Sequence, residues 1–234
     1  MRRPVICLLI ALLAPVAASA QDPSRWGVSA SFAPSQSWNV EKKLSPFLFK
    51  NEGPAEIKSA DFSVGIVRGR ELGGDWGVSL VRRSIADGST FTAESEICTG
   101  TTCTPFVQER SVTRNVSYTG VEVHKYVSFV TIQRRVQLGM NFVGGIGSYD
   151  GDVERHETGF TSSFVNGRFV VLPTESVSSV PMKEYTNVSP FPLGKVEAAV
   201  AALVAPGFKV RWSGGFSFPG YQVFTLTGVY LFGK

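Results

Sequence analysis

The sequence is poor in the side chains on which most catalytic and metal sites are built. Its 234 residues hold two histidines, His124 and His156, and three cysteines, Cys7, Cys98 and Cys103. No apolar run reaches the roughly 20 residues that a membrane-crossing helix requires. No window sustains a 3.6-residue apolar period, which argues against a helical bundle. Neither sign of charge dominates, with 23 Lys and Arg against 19 Asp and Glu. A nucleic-acid partner would need a clustered basic face, and none is indicated. No glycine-rich loop follows a strand and opens a helix, so nucleotide binding is not indicated either.

What is present begins with an export signal. Met1-Arg2-Arg3 leads into an apolar stretch from Val5 to Val16, followed by Ala18-Ser19-Ala20. A short positive region, an apolar core and a small-x-small site predict a secretory leader over 1–20. Cleavage after Ala20 leaves one domain, 21–234, beginning at Gln21. The leader carries Arg2 and Arg3, so the mature chain has 21 basic residues against 19 acidic ones. Cys7 leaves with the leader. In an oxidising compartment, Cys98 and Cys103 are expected to form a disulfide around a tight loop. A metal site is the rival reading, and it lacks histidine partners.

The mature chain alternates with period 2, the mark of strands whose two faces differ. From Phe208 to Phe218, Val210, Trp212, Phe216 and Phe218 share one side, with Lys209, Arg211, Ser213 and Ser217 on the other. From Tyr221 to Phe232, Phe224, Leu226, Tyr230 and Phe232 oppose Val223, Thr225, Thr227 and Val229. Val136–Ile146, Trp26–Phe32, Phe62–Ile66 and Trp76–Leu80 read the same way. Asn115–Tyr126 is blurred by Glu122 and His124 among valines. Val196–Val204 is alanine-rich and open to a helix, although flanking Leu193-Gly194 and Pro206-Gly207 favour a strand. Eight segments result, many able to reach the roughly 9–11 residues of a tilted transmembrane strand.

The links alternate in length. Residues 39–58, 87–114 and 148–192 are long, whereas Gly69–Asp75, Val127–Arg134 and Ala205–Gly207 are short. Short turns at one end and long loops at the other are the asymmetry of a transmembrane barrel. Pro219-Gly220 departs from it, being short where a long loop is expected. Within 148–192, Phe169-Val170-Val171-Leu172 reads either as an extra strand extending the wall outward or as part of a mobile loop.

With its export signal, aromatic alternating strands and a last strand bearing Phe224, Leu226, Tyr230 and Phe232, the chain resembles the small outer-membrane β-barrel superfamily, of the OmpA transmembrane-domain and OmpX-like type. Gly233 and Lys234 after the last aromatic depart from that pattern. The resemblance implies an all-β fold: an eight-stranded antiparallel transmembrane up-and-down β-barrel in the bacterial outer membrane. It also implies contact with outer-membrane lipid and lipopolysaccharide, recognition of the last strand by the barrel-assembly machinery, and a monomer. No cofactor is implied.

In such a barrel Asp61, Gln137, Asn141, Glu197, Lys209 and Arg211 point inward. Eight strands leave an interior that side chains fill, so these residues read as a polar plug, with Arg211 and Glu197 as a natural pair; an ion conduit is the rival. Trp26, Trp76, Tyr126, Trp212, Tyr221 and Tyr230 read as interface aromatics, or else as ordinary core. Catalysis is not expected. His124 and Ser128 share a strand face but stand roughly 13 Å apart, and His156 lies in the charged run Glu154-Arg155-His156-Glu157. Arg110, Arg114, Arg155 and Lys183 are loop cations able to meet lipid phosphates, or simply solvated. The leading expectation is a structural or surface-interaction barrel acting through its long loops. The alternatives are a narrow porin-like pore for small solutes and a soluble periplasmic lipid-binding barrel.

Overall fold

The computed structural model describes residues 23–40, 48, 55–99, 102–165, 168–218 and 221–233. The leader, most of 41–54 and the Pro219-Gly220 link therefore lie outside the described residues. The strands are β1 (Arg25–Val40), β2 (Ala55–Gly69), β3 (Asp75–Ile85), β4 (Thr90–Thr99), β5 (Thr102–Ile132), β6 (Val136–Val165), β7 (Arg168–Pro181), β8 (Phe191–Ala205), β9 (Phe208–Phe218) and β10 (Tyr221–Leu231), with a one-turn helix α1 (Met182–Tyr185) before β8.

Eight of these strands close a ring in the order β1-β2-β3-β5-β6-β8-β9-β10, and every neighbouring pair is antiparallel. All eight sequence segments with alternation are wall strands. The alanine-rich Val196–Val204 is one of them, pairing with β6 and β9. The register measures the closure. Starting at Gly27 and stepping through Val67, Gly77, His124, Val143, Lys195, Ser217 and Tyr221, the path returns to β1 at Trp38. That is eleven residues further on (38 − 27), one of them belonging to the bulge between Phe32 and Ser37. A shear of ten on eight strands tilts the strands by about 40° and gives a backbone radius of roughly 8 Å, which side chains fill.

The expected loops are largely strand. The 87–114 link is a hairpin of β4 and the first part of β5, with a register that continues to Cys98↔Cys103. The 148–192 link is the second half of β6, then β7, then α1; Phe169–Leu172 pairs with Thr161–Phe164, the extra strand that the sequence offered as one option. β5 and β6 are therefore 31 and 30 residues long, against 11–16 for the other wall strands. Above the ring, β4-β5-β6-β7 form a four-stranded sheet standing out from one end.

The two faces of the wall differ sharply. β3 reads buried-exposed without interruption from Asp75 to Ile85. Its outward residues are Trp76, Val78 and Leu80, then Arg82 and Ser84 toward the protruding sheet, and exposed apolar side chains like the first three occur on all eight wall strands. The interior has two zones. Charged and hydroxyl side chains fill the part nearer the termini and short turns. Toward the protruding sheet an apolar cluster takes over, including Ile57, Ile85, Phe91, Tyr118, Tyr149, Phe191 and Val223, with Met182 and Tyr185 of α1. There the Tyr185 ring packs edge-on against Phe91 at 5.1 Å, and the Tyr149 ring against Phe191 at 5.0 Å. α1 thus buries Met182 and Tyr185 in this apolar cluster, at the far end from the short turns.

Candidate functional site: a charged lumen beneath a protruding sheet

The lumen is narrow enough for ion pairs to cross it. β3 and β9 stand four strands apart in a ring of eight, on opposite walls. Asp75 on β3 accepts from Lys209 Nζ at 2.9 Å and from Arg211 Nη1 at 2.9 Å, both on β9. β2 and β8 are also opposite, and Lys195 Nζ on β8 donates to Asp61 Oδ2 on β2 at 3.1 Å. Asp61 is held as well by a two-pronged contact from Arg83, Nε at 2.7 Å and Nη2 at 2.6 Å. Paired planar groups of this kind give strong, direction-specific hydrogen bonds.

The buried charges balance. Asp61, Asp75, Glu122 and Glu197 face Arg83, Lys195, Lys209 and Arg211, four of each sign among the described residues. Glu122 lies 3.7 Å from Lys195. Glu197 is satisfied by neutral donors: Asn141 Nδ2 at 2.6 Å, Ser213 Oγ at 3.0 Å and Thr225 Oγ1 at 2.7 Å. Nearer the short turns, Lys209 Nζ also donates to Arg70 O at 2.8 Å, Gln137 Nε2 to Glu71 O at 2.8 Å, and the Gly207 amide to Glu71 Oε1 at 2.7 Å. The turn backbone between β2 and β3 is thereby drawn across the opening. Glycine makes room for the largest chains: a Cβ on Gly145 would meet Glu122 Cγ at 2.9 Å, and one on Gly77 would meet His124 Cε1 at 2.7 Å.

All six residues expected inside, Asp61, Gln137, Asn141, Glu197, Lys209 and Arg211, are buried there. The expected Arg211–Glu197 pair does not form. Across β8 and β9 the register sets Glu197 against Gly215, four residues from Arg211 and so roughly 13 Å along the strand. Arg211 reaches Asp75 across the lumen instead. Sequence reasoning missed Asp75, Arg83, Glu122, His124 and Lys195. The signal for Glu122 and His124 was their shared parity on β5, where Val121 and Val123 point outward.

The same parity corrects one aromatic. Tyr126 is on the Glu122/His124 side, 1% exposed, with the Arg211 guanidinium 4.8 Å above its ring. It is an interior residue and cannot be an interface aromatic, which must face out. Trp26, Trp76, Trp212 and Tyr230 do face out. Trp26 and Trp76 meet edge-on at 6.1 Å near the terminal end, whereas Trp212 sits midway along β9. The Tyr221 side chain lies outside the described ones, as do those of Cys98 and Cys103, whose backbones are direct partners; the disulfide remains an expectation.

On the protruding sheet, two expected cations are already engaged. Arg114 Nε donates to Glu154 Oε2 at 2.9 Å and Arg155 lies 2.9 Å from Glu157, while Arg110 and Lys183 are exposed. The Arg114 hydrogen bond holds the Glu154 carboxyl below the usual carboxylate range. Its stabilisation is complete above that range and fades as pH falls through the lowered value; being solvent-exposed, it is small. His156 Nε2 is 2.9 Å from Glu154 Oε1, part of the same charged ladder. Among the described residues no group of three or more His, Cys, Asp or Glu is placed to hold a metal ion.

No protein-family model matches the chain. No curated protein matches it. Among solved structures it is similar to Neisserial surface protein A at 11% identity, covering 90% of this chain and 99% of that one, with a TM-score of 0.42. It is also similar to Ail, the attachment invasion locus protein of Yersinia pestis, solved with the heparin analogue sucrose octasulfate: 12% identity, 89% and 99% coverage, TM-score 0.32. The β domain of the Bordetella autotransporter BrkA matches at 11% identity, 89% and 100% coverage, TM-score 0.31.

Proposed function

We propose that this chain, exported and freed of its leader over 1–20, is a monomeric outer-membrane barrel with a surface-interaction role. The observation that carries the reading is the inversion of the wall: apolar side chains lie outward on all eight strands around a charged interior. A patch that encircles a protein far exceeds what soluble surfaces expose, whereas a closed sheet with an apolar outside suits hydrocarbon. A soluble lipid-binding barrel needs the reverse arrangement. Assembly through β10 and contact with lipopolysaccharide belong to the same reading.

The wall is then an anchor, and the work falls to the β4-β5-β6-β7 sheet. Among the described residues β7 pairs with β6 alone, so the other edge of this 14-residue strand has no partner strand. An open edge of that length offers backbone donors and acceptors to an added strand. This favours recognition of an extended segment on a surface or envelope protein over a small-molecule task. Catalysis and cofactors have no part in the reading. Deleting the β6–β7 hairpin beyond the wall, residues 158–176, is expected to leave heat-modifiable gel mobility intact and to abolish adhesion of expressing cells to surfaces the intact protein binds. A protein soluble without detergent after export would defeat the reading.

A narrow pore is opposed by the ion pairs that cross the lumen. Single-channel recording on the purified protein is expected to show no steady large conductance.

A further inference from the structure

The hairpin between β5 and β6 turns on residues whose backbone conformation does not suit them. Gln133 and Arg134 both have positive φ, 49° and 53°, and the Arg135 amide closes the turn onto Ile132 O at 3.1 Å. Ile132 pairs with Val136, so residues 133–135 make the turn, and the left-handed backbone at its first two positions favours Asn and Gly. Glutamine and arginine are strained there, and such strain persists where the surroundings enforce it, often at functional positions. The turn is fixed from below as well: Leu203 N donates to Arg135 O at 2.8 Å.

Gln133, Arg134 and Arg135 are all exposed, and neither arginine has an ion-pair partner among the described residues. The apolar belt runs right up to them through Phe129 (64% exposed), Val130 and Ile132, with Val204 (63%) on the neighbouring hairpin. The carboxylates near this end of the described wall are spoken for: Glu71 by Arg25 and the Gly207 amide, Asp75 by Lys209 and Arg211. Among the described residues the outward face at this edge is therefore net cationic, where the apolar belt ends.

We propose that Arg134 and Arg135 form a contact for the phosphate of an anionic phospholipid in the leaflet on the short-turn side. The strained turn projects both guanidiniums at the belt's edge. The proposal rests on the membrane reading above. The guanidinium fork suits phosphate oxygens, and a cation near an anionic membrane surface is worth about five-fold in binding.

The test uses the mature, refolded barrel in detergent, with retained lipid counted by native mass spectrometry as phosphatidylglycerol or phosphatidylcholine is added. The expected result is a preference for phosphatidylglycerol, about five-fold per arginine, that fades in high salt as exposed charges are screened. Arg134→Gln/Arg135→Gln should erase it. Gln133→Asn/Arg134→Gly should raise the urea midpoint while losing one arginine's share, so that misfolding does not account for the loss. Equal retention of both lipids by a wild-type barrel with heat-modifiable mobility overturns this proposal and leaves the membrane reading standing, as does a preference that survives in the double glutamine variant. A protein that never enters bilayers overturns both.

Discussion

Asp75→Ala is expected to destabilise the barrel by about 3–5 kcal/mol, the cost of leaving buried charge unpaired. Asp75, Lys209 and Arg211 have side chains 0%, 2% and 3% exposed, and the carboxylate is the one acid touching both cations. Removing it strands two positive charges in a lumen only side chains wide. Lys209 keeps carbonyl partners at Arg70 and Gly73, and Arg211 keeps the Tyr126 ring, so the loss falls short of two isolated charges. Equilibrium urea unfolding of vesicle-inserted protein, followed by gel mobility, measures it. Adding Arg211→Met to Asp75→Ala should recover part of the stability, because an apolar side chain replaces one stranded cation. A cost under about 1 kcal/mol would mean that water reaches both cations, and the plug would give way to the conduit reading.

The architecture was legible because the physics behind it is periodic. Each wall strand separates an outward apolar face from an inward polar one, and the parity of Lys209 and Arg211 against Val210 and Trp212 shows it without a structure. Val196–Val204 was harder, since alanine reports neither face strongly, and its turn residues decided it. The protruding sheet reads in the sequence mostly as loops because polar and apolar residues are mixed on both parities of its segments, leaving no alternation to find. Pairing across the lumen was out of reach for a different reason. Asp75 meets Arg211 through closure of the ring with a shear of ten, and nothing local to either residue encodes that distance. Hence the expected Arg211–Glu197 pair followed strand adjacency and missed the four-residue offset in register. Tyr126 was within reach: counted from Val121 and Val123, it falls on the inner face.

Ile66→Arg separates the membrane reading from any soluble one by the size of its effect and by how that size changes with position along the wall. Ile66 points outward from β2, 61% exposed, with Val28 and Val78 as its cross-strand neighbours on either side. On a water-exposed wall, replacing a lone apolar side chain with arginine changes stability by at most about 0.5 kcal/mol and improves solubility. Inside an apolar belt the same change puts a guanidinium into hydrocarbon, at a cost of about 2–4 kcal/mol near the midplane that falls toward zero at the interfaces. A matched arginine at Phe129, at the belt's lower edge beside the Arg134 turn, should therefore cost much less than one at Ile66. Urea midpoints of the two variants in vesicles give the comparison directly. A depth-dependent penalty requires lipid around the wall, because a soluble barrel has no depth to sense. Equal, near-zero effects at both sites would put the wall in water, and the charged lumen would then need a different explanation from the plug of an embedded anchor.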